Sequence, residues 1–395
     1  TDVIILDVFN TLGMPTSTTV SLVFELLGGA FILATLKMYG DDSLNYGVLL
    51  NSNKALEVIM GIFSSVIIAF VFGAFVMWLS RIIFTFNYRK HSRYSIAIFG
   101  GIAFTALSYF IFMKGLGKSP YLPAEWRDYI DQNLGFLICI TFVVSAVIME
   151  FLHLCRVNIF KFTVLMGTFA LAMAFAGNDL VNFIGVPLAG LSSYQDYMAN
   201  ANGAAPDQFM MTSLMESAKT TPGFLLVAGA VMIIAMATSK KAQNVIKTSV
   251  DLSRQDEGDE MFGSSSAARV IVRNCQATDS WLKQFMPKAL MNWINSRFDK
   301  NNVELEESAA FDVVRAAVNL VLASMLITIG TNLKLPLSTT YVTFMVAMGS
   351  SLADRAWSRE SAVFRVTGVL SVIGGWFITA GVAFAACAIV CIIMH

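Results

Sequence analysis

The sequence has few charged residues for its size. Of its 395 residues, 14% are Asp, Glu, Lys or Arg, whereas 56% are hydrophobic and the mean hydropathy is +0.65. A soluble domain typically has about 25% charged residues. Residues 58–80, 223–239 and 366–394 include no charged side chain, and about 20 apolar residues are enough for a helix to cross a bilayer. The scarcity of charge therefore excludes an ordinary soluble domain and predicts a multi-pass membrane protein.

The net charge is zero, and cysteine and histidine are rare. A zero net charge does not favour a nucleic-acid partner. The five cysteines are odd in number and lack a paired spacing, so we expect buried reduced thiols and neither a disulfide framework nor a metal site. The three histidines do not lie near a nucleophile cluster in the sequence. We therefore expect no enzymatic activity and no cofactor beyond a coupling ion.

Ten apolar segments predict the helices of an all-α polytopic membrane protein. All should be helical, because lipid leaves an open segment no other way to pair its backbone polar groups. The fold should have about ten transmembrane or re-entrant segments, including broken-helix hairpins. Residues 160–190 are interrupted by Gly-Asn-Asp at 177–179; we expect one crossing here, although the interruption could split it into a re-entrant pair. The segments are 1–12, 16–36, 56–82, 93–114, 132–155, 160–190, 223–239, 311–333, 336–354 and 364–394.

The distribution of positive charge predicts the orientation of the chain. Loops rich in Lys and Arg face the cytoplasm, and residues 81–93 include Arg81, Arg89, Lys90 and Arg93. Residues 240–308, the one soluble-looking stretch, should also be cytoplasmic and could form interfacial amphipathic helices. We interpret them as a linker between two halves, with a regulatory role as the alternative. The expected location is the cell membrane, inner or plasma.

One short motif occurs twice. Residues 14–20 read MPTSTTV and residues 335–341 read LPLSTTY, an offset of 321. Each motif joins two apolar arms, which predicts two helix–break–helix hairpins, at 1–36 and 311–354. Five predicted crossings lie between them, and an odd number reverses direction. The hairpins should therefore point in opposite directions, as in inverted-repeat transporters, whose sites lie where helices break near the membrane midplane.

The two motifs are suited to binding an anion. Proline breaks the preceding helix and suits the start of the next, whose first amides lack partners and carry the positive end of the helix dipole. Such a helix start binds oxyanions without the charged side chains that are costly in a membrane. Serine and threonine are also ordinary helix caps, but two copies with three hydroxyls each favour a ligand site. The candidate residues are Ser17, Thr18, Thr19, Ser338, Thr339 and Thr340.

A third element supplies a carboxylate. Asp179 lies about midway along an apolar segment, and intramembrane carboxylates usually serve an ion or a proton. Asn178 and Asn182 are close in sequence, and carboxylate with amide oxygens suits a hard cation such as Na⁺; a structural Asp paired with a neighbouring helix is the alternative. An oxyanion 4 Å from Asp179 would be repelled by about 4 kcal/mol at an effective dielectric near 20. A shared cation or proton would remove that repulsion, which is the reciprocal coupling that symport requires.

Two Pro-x-Ser-Thr-Thr motifs with a Gly-x-Asn-Asp-type motif between them resemble the inorganic phosphate transporter (PiT) family of cation-coupled phosphate symporters. The resemblance spans essentially the whole chain. It implies that the six motif hydroxyl residues contact phosphate, and that Asn178, Asp179 and Asn182 serve the coupling cation, with Asp179 as a Na⁺ ligand. It also implies inverted repeats in a lipid bilayer. The corresponding division is 1–158 for the rest of the first repeat, 159–239 for the start of the second, 240–308 for the insert and 309–395 for the end of the second.

The sequence departs from the family pattern in three places. Residues 176–182 read AGNDLVN, with Gly and Ala exchanged relative to the family, and Tyr341 stands where the family usually has His. No Asn-Asp motif precedes Thr16, so we expect that the first spans of repeat one lie outside this chain and that the site could be incomplete. Three functions stay open at this point: a phosphate:cation symporter, a carrier of another oxyanion such as sulfate, and a non-transporting oxyanion sensor. A homo-oligomer is compatible with each.

Overall fold

The structure, a computed structural model, consists of helices and the segments that connect them in the part of the chain that it describes. That part comprises residues 2–40, 43–86, 93–109, 123–205, 209, 221–255, 262–299, 309–333, 335, 337–357 and 361–394. The first eight helices are α1 (Asp2–Thr11), α2 (Thr18–Gly40), α3 (Tyr46–Leu49), α4 (Ser52–Phe84), α5 (Arg93–Ser108), α6 (Ala124–Gln132), α7 (Leu134–Leu154) and α8 (Ile159–Phe175). The next eight are α9 (Val181–Asn200), α10 (Pro222–Thr238), α11 (Lys240–Ser253), α12 (Ser266–Phe285), α13 (Lys288–Arg297), α14 (Val313–Asn332), α15 (Thr339–Ala353) and α16 (Ser361–Met394).

The predicted apolar segments coincide with helices, which confirms an all-α polytopic membrane fold. Six runs in the described residues are long and apolar enough to cross a membrane: Thr18–Tyr39, Ser52–Phe84, Leu134–Leu154, Ile159–Asn200, Val313–Asn332 and Ser361–Met394. A seventh is added if the bent pair Pro222–Thr238 and Gln243–Ser253 forms one span. The predicted count of about ten is not confirmed, because α1, α5 and α15 have only 10, 16 and 15 residues.

The helix that includes Asp179 continues through the Gly-Asn-Asp interruption. Residues 159–200 form one run of 42 residues, in which a π turn at Ala176–Leu180 joins α8 to α9. A π turn inserts one extra residue into a helix and is frequent at functional sites. The interruption therefore changes the helical pitch without dividing the segment into a re-entrant pair.

Two helix pairs make the most extensive contacts among the described helices. α2 lies along α16, and α4 lies along α15. At the second crossing, a Cβ atom added to Gly349 would overlap the backbone carbonyl of Phe70, and one added to Gly73 would overlap that of Val346. Small residues allow backbones to approach this closely in membrane helix pairs. These contacts hold α2 and α15, the helices that begin at the two Ser-Thr-Thr motifs, against α16 and α4.

A buried cluster of charges joins α4, α14 and α15 at one end. The Arg81 guanidinium donates to Asp312, with Nη2 2.9 Å from Oδ1, and to Asp354, with Nε 2.5 Å from Oδ1. Arg315 Nε lies 3.6 Å from Asp354 Oδ2 and Arg315 Nη1 donates to Ser351. The prediction that Arg81 is a loop charge is wrong, because Arg81 lies within α4 and is fully buried. A buried cation needs an anionic partner to offset desolvation, and two aspartates from distant parts of the sequence supply it.

The charged stretch 240–308 packs on the apolar helices where the structure describes it. α11 contacts α1, α15 and α16, and the Thr248 hydroxyl donates to the carbonyl of Gly13 at 2.7 Å. α12 packs against α16, and Arg297 at the end of α13 donates to the carbonyl of Ile82 at 2.6 Å. The amphipathic helices expected here are present, and they are fixed to the spans by these contacts.

The prediction that the cysteines are buried is wrong for three of them. All five cysteines are free thiols; Cys139, Cys155 and Cys275 are exposed, and Cys387 and Cys391 are partly buried. Cys139 lies on α7, an apolar span, where an exposed apolar side chain faces lipid. For Cys139, exposure at the outer face of a membrane helix therefore replaces the burial that we expected.

Candidate functional site

Both repeated motifs start helices in the same way. α2 begins at Thr18 and α15 begins at Thr339. The Ser17 hydroxyl accepts a hydrogen bond from the amide of Val20 at 3.2 Å, and the Ser338 hydroxyl accepts one from the amide of Tyr341 at 3.1 Å. These are the contacts of ordinary N-caps. The serine of each motif thus serves as a cap, which leaves the threonine hydroxyls for other partners.

One threonine from each motif donates to the carboxylate of Asp179. The Thr339 hydroxyl lies 2.6 Å from Asp179 Oδ2, and the Thr18 hydroxyl lies 3.5 Å from Asp179 Oδ1. Thr18 and Thr339 occupy equivalent positions at the offset of 321 between the motifs. The Asn178 amide nitrogen also donates to Asp179 Oδ1, at 3.1 Å. Two motifs that are far apart in sequence therefore meet at the two oxygens of one carboxylate.

The amides of the π-turn region bind the first motif. The Asn182 amide nitrogen donates to the Thr19 hydroxyl at 2.9 Å, and that of Asn178 approaches the same hydroxyl at 3.4 Å. Asn178 also donates to the carbonyl of Leu337, immediately before Ser338, at 3.1 Å. Asn178 lies in the π turn and Asn182 in α9, so the altered pitch still presents both amides to Thr19. In this arrangement both asparagines present nitrogen donors at these contacts.

Six of the nine predicted site residues form one hydrogen-bonded network: Thr18, Thr19, Thr339, Asn178, Asp179 and Asn182. Ser17 and Ser338 border it as caps and are 1% and 0% exposed. Thr340 is partly exposed, and its carbonyl accepts a bond from the Thr343 hydroxyl; no contact of the described residues brings its side chain to Asp179. The sequence prediction thus named the residues of the network but did not separate the capping serines from the threonines that donate to Asp179.

Side chains of α16 border the site and were missed from the sequence. Trp376 donates from its indole nitrogen to the carbonyl of Pro15 at 2.8 Å, and its ring stacks on Tyr341 with centroids 3.7 Å apart. The Thr16 hydroxyl donates to the Thr379 hydroxyl at 3.2 Å. A tryptophan within an apolar run carries no sequence signal for this role, because its partners are set by helix packing.

The described side chains that donate to Asp179 are neutral. Within the described ranges, no three Asp, Glu, His or Cys side chains are grouped closely enough to hold a metal ion. The donors to Asp179 are two hydroxyls and one amide. A cation at Asp179 would therefore need neutral oxygens as its other ligands, a set that suits Na⁺ better than a soft metal.

Comparison with known families identifies the chain. A model of the phosphate transporter family matches residues 1–249. The chain belongs to the phosphate transporter family. No curated protein and no solved structure matches it. The family comprises transporters, so the expectation that the protein is not an enzyme is confirmed, and membership agrees with the PiT resemblance. The matched range of this transporter includes the first motif and Asp179, whereas the second motif lies outside it.

Proposed function

We propose that this transporter takes up inorganic phosphate together with Na⁺ or H⁺ as a secondary active symporter. The observation that carries the proposal is the convergence of Thr18 and Thr339 on Asp179, at 3.5 and 2.6 Å. Each helix start offers unpaired amides and a partial positive charge to a tetrahedral anion. Phosphate would lie between the two starts, with hydroxyls from both motifs as donors and Asp179 beside it.

The hydrogen bonds of Asp179 suggest how the two ligands are coupled. A hydroxyl has a single proton to donate, and Thr18 and Thr339 direct theirs at Asp179. Phosphate needs the same donors, so a free carboxylate competes with it for both hydroxyls. A cation or proton on Asp179 would weaken these bonds and release the hydroxyls to phosphate.

Electrostatic repulsion between phosphate and an ionised Asp179 would also make phosphate binding depend on the cation or proton. A phosphate oxygen about 4 Å from an ionised Asp179 is destabilised by about 4 kcal/mol at an effective dielectric near 20. Neutralising the carboxylate removes this penalty, so each ligand strengthens the binding of the other by the same factor. Binding of both ligands before the site opens to the other side is the condition for symport.

Alternating access would follow from the two hairpins. The first helix start belongs to α1–α2 and the second to α14–α15, and we propose that these hairpins are inverted relative to each other. Movement of one hairpin against the other would open the site first to one side of the membrane and then to the other. The stretch 240–308 would lie on the cytoplasmic side.

A decisive experiment is uptake of radiolabelled phosphate by vesicles that contain the full-length transporter. Asp179→Asn should abolish uptake driven by a Na⁺ or pH gradient. Asp7→Asn is the matched control, because Asp7 is exposed and pairs with Lys241 on α11. Undiminished uptake by Asp179→Asn would contradict the cation role of this residue.

Two other functions can be distinguished in the same assay. A carrier of another oxyanion would show uptake of phosphate that equimolar sulfate suppresses strongly. A sensor that binds phosphate without moving it would show saturable binding and no flux. Membership of a transporter family favours flux.

A further inference from the structure

α16 contacts both helix starts through one side chain. Trp376 is 6% exposed; its indole N–H donates to the carbonyl of Pro15, two residues before Ser17, at 2.8 Å. Its ring stacks on Tyr341 with a centroid distance of 3.7 Å and an interplanar angle of 17°. The backbone amide of Tyr341 is capped by Ser338. Trp376 thus links the break of the first motif to the first turn of the second.

The hydrogen bond fixes a part of the backbone that lies outside the helices. Residues 14–17 are not helical, and α2 begins at Thr18. A buried carbonyl outside a helix needs a donor, and leaving it without one is costly. The Trp376 N–H is the donor to Pro15, so the position of the first helix start depends on the orientation of this indole.

The rings of Tyr341 and Phe344 pack against the Trp376 indole, with centroid distances of 3.7 and 5.8 Å. A cavity of about 470 Å³ lies beside Trp376 and is lined by apolar side chains that include Val20, Phe24 and Phe377. An aromatic ring that borders open apolar space has room to tilt, since close packing is what restricts buried side chains. We infer that the N–H bond to Pro15 holds the indole in the orientation in which it packs on Tyr341 and Phe344.

A second hydrogen bond joins α16 to the residues before Ser17, one turn after Trp376. The Thr16 hydroxyl donates to the Thr379 hydroxyl at 3.2 Å, and Thr379 donates to the carbonyl of Gly375 at 2.8 Å. Trp376 and Thr379 are three positions apart and share a helical face. That face holds Pro15 and Thr16, the two residues that precede Ser17.

We propose that Trp376 is a positioning residue for the phosphate site, which sets the distance between the two helix starts without touching phosphate. This inference rests on the proposed function. With the indole in place, Thr18 and Thr339 are both held at the carboxylate of Asp179. Loss of the N–H would remove the donor of the Pro15 carbonyl and misalign the donors of the first motif. The second start contacts Trp376 through the ring stack on Tyr341, which does not need the N–H.

Phosphate-uptake kinetics of Trp376→Phe test this proposal. Phenylalanine retains an aromatic ring for the stack on Tyr341 but lacks the N–H. The expected result is a KM for phosphate raised about tenfold, with Vmax within about twofold of the unsubstituted transporter. Trp281→Phe is the matched control, because Trp281 is exposed on α12, and its KM should not change. Thr379→Val should raise KM in the same direction.

Thermal unfolding in detergent separates positioning from general stabilisation. For Trp376→Phe we expect the KM effect together with a small fall in melting temperature, because the Pro15 carbonyl loses its donor. An unchanged KM would overturn the proposal, even if Vmax falls in proportion to the amount of folded protein. If the unsubstituted transporter neither binds nor moves phosphate, the proposed function fails instead. If it transports phosphate and Asp179→Asn abolishes uptake, an unaffected Trp376→Phe refutes only the positioning role.

Discussion

Thr339 donates its hydroxyl to Asp179 Oδ2 at 2.6 Å, across 160 positions of the sequence. Its equivalent in the first motif, Thr18, reaches the other oxygen at 3.5 Å. The carboxylate is thus shared between two copies of one motif, each at the start of a helix. This arrangement makes Asp179 a competitor for the donors that an anion would use.

Replacing Thr339 should weaken phosphate binding more than replacing a threonine elsewhere on the same helix. Thr339→Val removes a donor and keeps the shape of the side chain, so we expect the KM for phosphate to rise about tenfold. Thr343→Val is the control, because the Thr343 hydroxyl donates to the carbonyls of Thr339 and Thr340 in its own helix. Equal KM values for the two variants would contradict a ligand role for Thr339.

The two serines should behave as caps and not as primary phosphate ligands. Ser17→Ala and Ser338→Ala remove the acceptors for the amides of Val20 and Tyr341, which should lower the free energy of unfolding by about 1 kcal/mol each. Thermal unfolding measures this effect, and phosphate KM should rise less than in Thr339→Val. A larger KM effect for the serines, without loss of stability, would reverse the division of roles.

The sequence predicted most helices because the membrane imposes them: long uncharged runs have no other stable form in lipid. It also predicted that Ser17–Thr19 and Ser338–Thr340 start helices, since proline and unpaired amides are local features. What it did not predict depends on tertiary contacts. The separation of capping serines from donating threonines follows from where Asp179 lies, and the π turn is a pitch change that the letters Gly-Asn-Asp do not specify.

The buried charge cluster is a second case that local sequence did not reveal. Arg81 meets partners 231 and 273 positions away, and in sequence it resembles an ordinary loop charge at the end of an apolar run. Only the meeting of α4, α14 and α15 buries it. The same long-range packing brings Trp376 to Pro15, 361 positions away.

Arg81→Gln should strongly destabilise the fold. It removes the guanidinium that Asp312 and Asp354 share, and both carboxylates are buried, 8% and 0% exposed. Arg315 stays near Asp354 at 3.6 Å, but breaking a buried ion pair costs about 3–5 kcal/mol. Thermal unfolding in detergent measures the loss. Arg273→Gln, at an exposed position of α12, should be close to neutral. A stable, fully active Arg81→Gln variant would show that the cluster does not hold these helices together.

Adding one methyl group at the α4–α15 crossing should separate the helices. A Cβ at Gly349 would overlap the carbonyl of Phe70, so Gly349→Ala should destabilise the protein by about 1–3 kcal/mol. A Cβ added to Gly374 on α16 would extend into open space. Gly374→Ala is therefore the matched control. If both substitutions leave the melting temperature unchanged, the two backbones are not in contact.

The most direct test of the central claim is the affinity of the transporter for phosphate at zero and at saturating coupling ion, by isothermal titration calorimetry. If Asp179 links the two ligands, Na⁺ or a lowered pH should tighten phosphate binding about 5–150-fold in the unsubstituted protein and in Asp7→Asn. In Asp179→Asn the phosphate Kd should no longer depend on the ion. An ion dependence that persists undiminished in Asp179→Asn would contradict the account.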